Sequence, residues 1–83
     1  MYSLIYSPSA LKTLEKLDLS IRERIILVLE RLRIRPESCD SKRLVGMSGY
    51  RFRVGDYRVI FDIEHENLHI LVLKIGHRKH VYA

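Results

Sequence analysis

Arg51 and Arg53 alternate with Tyr50, Phe52 and Val54, and Arg58 follows across the dipeptide Gly55–Asp56. Alternating basic and apolar residues mark a strand with one buried face. A two-residue loop with glycine first suits a type II′ hairpin turn. Such a turn sets the register: Val54 faces Tyr57, Arg53 faces Arg58, and Phe52 faces Val59. The three arginines then share one face of the sheet. Tyr50, Phe52, Val54, Tyr57, Val59 and Phe61 share the other. Like charges directly opposite each other destabilise a sheet, so this placement points to an anion held between them. Phosphate is the natural match, because the planar guanidinium fork binds it bidentately. The competing reading is that Asp56, Asp62 and Glu64 neutralise the arginines, with Asp62 on the face of Arg58 two pleats along.

The C-terminal stretch His77-Arg78-Lys79-His80-Val81-Tyr82 gathers the other groups capable of chemistry. A histidine titrating near neutrality is suited to proton transfer, and Arg78 and Lys79 add charge beside it. A solvated tail is the plainer reading of each histidine taken alone. His65 and His69 read as turn and strand residues without chemistry. No metal site is expected, since His77 and His80 have no carboxylate or cysteine at ligand spacing. No cofactor is expected either: there is no phosphate-binding glycine loop and no nucleophile elbow.

These groups need a scaffold. Residues 2–6 are rich in strand formers and predict a short strand. Ser7-Pro8 predicts a helix start, with a capping hydroxyl followed by proline at the first helical position. Leu11, Leu14 and Leu17 recur behind it at helical spacing. Ser20 and Glu23 read as a capping box opening a second helix, whose stripe is Ile21, Ile25, Val28, Leu29 and Leu32. That helix should stop before Pro36. Two helices with so short a joint predict an antiparallel αα-hairpin. Its charged residues, among them Arg31, Arg33 and Arg35, read as a solvated face. Residues 35–41 read as a loop within one domain.

After the hairpin strands, the polar stretch 64–67 predicts a turn. Residues 68–75 are nearly all apolar and predict a strand covered on both faces, ended by Gly76. The tail reads as a short edge strand. The class is α+β: an N-terminal strand, an antiparallel αα-hairpin, then a three- to four-stranded antiparallel sheet, in the order β-α-α-β-β-β. Residues 1–83 form one domain.

Composition agrees. The chain has 83 residues, 47% hydrophobic and 30% charged, a globular balance rather than a disordered one. Its formal net charge is +5. Residues 1–40 hold seven Lys/Arg against six Asp/Glu, and residues 41–83 hold eight against four. The excess lies in the half with the arginine hairpin, which suggests a polyanionic partner. No apolar run approaches the ~20 residues of a membrane span. Met1-Tyr2-Ser3-Leu4 has no basic leader segment. The single cysteine, Cys39, excludes an internal disulfide, and its neighbours Ser38, Asp40 and Ser41 include no cation to activate it. A cytoplasmic location is the expectation.

The segment Gly49-Tyr50-Arg51-Phe52-Arg53-Val54-Gly55-Asp56-Tyr57-Arg58-Val59-Ile60-Phe61 resembles the central hairpin of the RelE/ParE family of toxins. The ending Ile75-Gly76-His77-Arg78-Lys79-His80-Val81-Tyr82 is similar to that family's closing motif. Ser7-Pro8-Ser9-Ala10-Leu11-Lys12 and Lys42-Arg43-Leu44 have counterparts too, so the resemblance spans nearly the whole chain. It implies a RelE-like toxin of a type II toxin–antitoxin system. The activity implied is that of a metal-independent endoribonuclease, an mRNA interferase. It would cut mRNA in the ribosomal A site through attack of a ribose 2′-hydroxyl on the adjacent phosphate. The resemblance implies Arg51 and Arg53 near the scissile phosphate, Arg58 stabilising it, Arg78 as a second arginine and Tyr82 as a catalytic tyrosine. Arginine is a poor general base, with a pKa above ~12, so His77 or His80 is the candidate for that role. The implied partners are the ribosome, mRNA and a small, partly disordered RelB-like antitoxin forming a hetero-oligomer with the toxin. The ParE branch implies an alternative, a DNA gyrase inhibitor. A catalytically inactive domain that binds nucleic acid or antitoxin is a third reading.

Overall fold

A computed structural model of the protein describes residues 1–35, 42–43 and 49–77. The expected loop around Cys39, and Arg78, Lys79, His80 and Tyr82 with their expected edge strand, lie outside the described residues. The elements run β1 (Ser3–Tyr6), α1 (Pro8–Lys16), α2 (Leu19–Ile34), β2 (Lys42–Arg43), β3 (Tyr50–Val54), β4 (Tyr57–Glu64) and β5 (His69–His77). The strands form one sheet in the order β1-β5-β4-β3-β2. β3, β4 and β5 pair antiparallel in succession, as expected, and β2, which the sequence did not suggest, pairs antiparallel with β3. β1 joins as a fifth strand, parallel to β5 at the edge, so the sheet is mixed.

Helices and sheet meet in one core. α1 contributes Ala10 and Leu14, α2 contributes Ile25, Leu29 and Leu32, and Leu17 lies in the joint between them. The sheet answers with Phe52, Val54, Val59, Phe61, Ile70, Val72 and Ile75. Phe61 is fully buried, with Tyr50 stacked on it at 5.6 Å and Phe52 tilted against it at 5.9 Å between ring centroids. β3 and β4 offer this core every second side chain, the period of a pleated sheet covered on one face.

Ser7 starts α1 as its sequence suggested. Its hydroxyl accepts from the Ala10 N–H at 3.0 Å, and Pro8 occupies the first turn. The same hydroxyl donates to the Leu73 carbonyl at 2.8 Å, and the Ser7 N–H donates to the Val72 carbonyl at 2.9 Å. One residue thus caps a helix and grips β5. α2 departs from expectation. It starts at Leu19, with Asp18 at the N-cap and no side-chain cap bond. The Arg22 N–H already bonds to the Asp18 carbonyl at 2.9 Å. Ser20 therefore lies inside the first turn, where a capping box with Glu23 has no place. The helix ends at Ile34 before Pro36, as expected.

β5 corrects three expectations. Leu68 does not begin it: at φ 55° it sits in the left-handed region and closes the turn from β4. Gly76 does not end it, because it pairs with Arg58, and His77 pairs with Tyr57. Nor is the strand covered on both faces, for Leu73 is 42% exposed. The register explains the apolar run. Ile60 pairs with Lys74 but Phe61 pairs with Val72, so Leu73 is an extra residue in a β-bulge. The bulge resets the alternation. Ile70, Val72 and Ile75 all face the helices, while Leu73 and Lys74 do not.

Tyr2 ties the beginning of the chain to distant elements. Its N–H donates to the Arg33 carbonyl at 2.7 Å, and its hydroxyl bonds to His65 Nδ1 at 2.8 Å. Among the described residues no helix is long and apolar enough to cross a membrane.

Two predictions follow from these contacts. Ser7→Ala, which removes a cap and the grip on Leu73, should cost about 1–2 kcal/mol in urea unfolding, whereas Ser20→Ala should cost far less. The Tyr6 phenol has its pKa raised above the ordinary 10.0, first by burial and then by the Glu30 carboxylate. Its contribution to stability is therefore complete below pH 10 and is lost as pH rises beyond it. Tyr6→Phe should flatten the alkaline fall in melting temperature; an unchanged fall would exclude Tyr6 as its source.

Candidate functional site

The hairpin turn decides where the arginines go. Gly55 has φ 59°, and Asp56 is not among the described residues with positive φ. That is the type II′ pattern, with only the first central residue left-handed. The observed register matches the expected one: Val54 with Tyr57, Arg53 with Arg58, Phe52 with Val59. Arg51 pairs with Ile60. With Phe52, Val54, Val59 and Phe61 in the core, Arg51, Arg53 and Arg58 project from the opposite face.

Directly opposed residues have Cβ atoms about 5 Å apart, so the Arg53 and Arg58 guanidiniums can close on one anion. Arg53 is exposed, and Arg51 and Arg58 are half-buried. The next strand extends the row: Gly76 pairs with Arg58 from the other side. Its backbone is not left-handed, so no turn requires a glycine there. A glycine inside a strand often marks the close approach of a ligand or another backbone, and here bare backbone lies beside Arg58.

One row along, Ile60 stands between Arg51 and Lys74. Ile60 is 8% exposed yet lies outside the core cluster. Long basic side chains can cover such a residue with their aliphatic stems. Lys74 escaped the sequence reading because residues 68–75 looked uniformly apolar. A signal was present. With Ile70 and Val72 inward, strict alternation would bury Lys74, which a lysine seldom tolerates. Only a bulge reconciles the two.

Acidic groups lie toward the other end of β4. Asp62 Oδ1 accepts from the Ile63 N–H at 2.9 Å, and Glu64 bonds to the Asn67 side chain in the turn. Among the described residues, the face away from the helices thus runs from cationic near Gly55 to acidic near His65. Such a gradient orients a polyanion toward the arginine end.

His77 does not join this face. It pairs with Tyr57, whose side chain packs against the core, and the two rings meet edge-on at 5.7 Å between centroids. Arg78, His80 and Tyr82 lie outside the described residues. No cluster able to hold a metal ion occurs among the described residues.

What the face can do chemically is bind and neutralise phosphate. Guanidiniums preorganised around an anion stabilise charge that develops on it. The arginines themselves supply no base.

Comparison with known proteins bears on the family and the fold. Residues 4–82 match a family model described as the ParE toxin of type II toxin–antitoxin systems, parDE. Among curated proteins none matches in sequence. The chain is similar to the toxin-antitoxin structure of intact E. coli RelBE, at 26% identity and TM-score 0.81, over 93% of this chain and 96% of that one. It is similar to the archaeal RelE-RelB complex of Pyrococcus horikoshii OT3, at 28% identity and TM-score 0.79, over 96% and 98%. The YoeB/ParE toxin of Agrobacterium tumefaciens shares the fold at 14% identity, with TM-score 0.80 over 90% and 96%.

The opposed arginines predict a trade between folding and binding. Arg53→Thr should raise stability by about 0.2–1 kcal/mol in urea unfolding, by removing a like-charge cross-strand pair, while weakening affinity for inorganic phosphate. A loss of stability on this substitution would mean that the pair is not repulsive in the folded chain.

Proposed function

The chain belongs to the family of ParE toxins of type II toxin–antitoxin systems, and we propose that it acts as a ribosome-dependent endoribonuclease of the RelE type. It is a toxin of such a system within the RelE/ParE superfamily. The finer reading is that it cleaves mRNA in the ribosomal A site and so stops translation. The observation that carries it is the opposed pair Arg53 and Arg58 on the sheet face away from the helices, with Arg51 beside them. Such a pair weakens its own sheet unless an anion is held between the arginines, and phosphate matches the guanidinium fork.

In this reading the ribose 2′-oxygen attacks the adjacent phosphorus and the bond to the 5′-oxygen breaks. The products are a 2′,3′-cyclic phosphate and a 5′-hydroxyl. Arg51, Arg53 and Arg58 offset the charge of the pentacoordinate phosphorane. One group accepts the 2′-hydroxyl proton and another supplies a proton to the leaving oxygen. Arg51 and Arg53 cannot be the base, since their pKa exceeds ~12. With the His77 ring set edge-on to Tyr57 on the helix side, the proposal gives proton transfer to His80 and Tyr82, and a second phosphate contact to Arg78. The nucleophile belongs to the substrate, so the reaction calls for no metal. The ribosome supplies the alignment of substrate, which sets the site of action in the cytoplasm. The partner that restrains the toxin is a RelB-like antitoxin, as in the complexes of its structural relatives. An acidic, extended segment fits the arginine face by charge.

A second reading has its own support: the matching family model is that of ParE toxins, and that branch is expected to inhibit DNA gyrase without cutting RNA. Two variants separate them. In a translation extract, Arg58→Ala should slow message cleavage by about 10²–10³-fold, the cost of removing one preorganised charge donor. Tyr82→Phe should slow it comparably, with the melting temperature kept. Inhibition of gyrase supercoiling by the unmodified protein, with message intact, would replace the RNase reading with the gyrase one.

A further inference from the structure

We propose that Lys74 is a phosphate-binding residue of the site, contacting the RNA strand at a phosphate next to the one held by Arg53 and Arg58. This rests on the reading of the arginine face as an RNA site. Three observations lead to it. First, the bulge at Leu73 places Lys74 opposite Ile60, on the face away from the core, where regular alternation would have turned it inward. Second, Lys74 stands diagonal to Arg58 across β4 and β5, because Arg58 pairs with Gly76 two residues further on. Diagonal neighbours have backbones about 7–8 Å apart, within reach of long side chains, so Lys74 can meet a phosphate beside the one that Arg58 holds. Third, Gly76, which pairs with Arg58 and stands two residues from Lys74 on β5, adds no side chain beside the two cations. The site then spans three strands: Arg51 and Arg53 from β3, Arg58 from β4, Lys74 from β5.

A bulge disrupts a ladder and leaves a residue unpaired. Here it is clasped by Ser7, whose hydroxyl and N–H bond to the Leu73 and Val72 carbonyls. The side chain that this irregularity delivers to the cationic face is the only charged one between His69 and His77. Lysine suits the task, being a point charge on a flexible stem that can follow a mobile strand.

The test is binding of a 2′-O-methyl single-stranded oligonucleotide, which lacks the attacking hydroxyl, across a salt series. Each phosphate contact contributes about 0.7 to the slope of log K against log salt for single strands. Lys74→Gln should lower the slope by about 0.7, and Lys74→Arg should restore it. Arg58→Ala should lower it separately by about 0.7, and the double variant by about twice that. Thermal melts report whether each variant folds. If Arg58→Ala lowers the slope and Lys74→Gln leaves it unchanged, Lys74 is not a phosphate contact and the arginine site stands without it. If the unmodified protein does not bind at low salt, or all the slopes agree, the RNA reading of the face fails and Lys74 with it.

Discussion

A two-residue turn leaves a hairpin no freedom of register, and at Gly55–Asp56 that constraint sets Arg53 directly across from Arg58. Much of the site follows from it. Once Phe52, Val54, Val59 and Phe61 face the helices, parity sends the arginines to the other side. A one-residue slip would bury the charges and expose the aromatics. The core therefore enforces the cationic face, and the repulsion between the two arginines is a cost that the packing of Phe61 with Tyr50 and Phe52 can absorb.

The second constraint is local to β5. Ser7 holds its carbonyls at Val72 and Leu73 while capping α1. The start of the first helix and the irregularity in the sheet are thus one feature. The bulge lets Ile75 enter the core and turns Lys74 away from it. Beyond the bulge, Gly76 falls beside Arg58 and His77 falls on the helix side against Tyr57. The two residues adjoin in the chain but serve opposite faces.

Much of this was legible in the residues. Ser7-Pro8 announces its helix because its signal is local, a hydroxyl and a proline in order. The hairpin is legible because a short turn converts sequence spacing directly into register. Ser20 and Glu23 form an equally good local motif, yet the N-cap falls two residues earlier, at Asp18, whose carbonyl already accepts the first helical hydrogen bond. The parallel pairing of β1 with β5 has no local signature, because nothing in residues 3–6 specifies a partner some 65 residues away. Lys74 was missed for a related reason: its facing depends on a bulge gripped from β1's end of the chain. A glycine at position 76 suggests a strand end and leaves His77 to a tail, whereas β5 carries both, paired with Arg58 and Tyr57. For Arg78 and Tyr82 the expected roles come from the family resemblance, and for His80 also from the chemistry of an imidazole beside basic residues.

The central claim is that the opposed arginines serve the cleavage of RNA on the ribosome. The most direct measurement is to map 5′ ends on a defined message, with the purified protein added in the presence and absence of ribosomes. The account predicts cuts inside the A-site codon, only with ribosomes present, that disappear in Arg58→Ala. An intact message under conditions where translation or cell division is still blocked would contradict it.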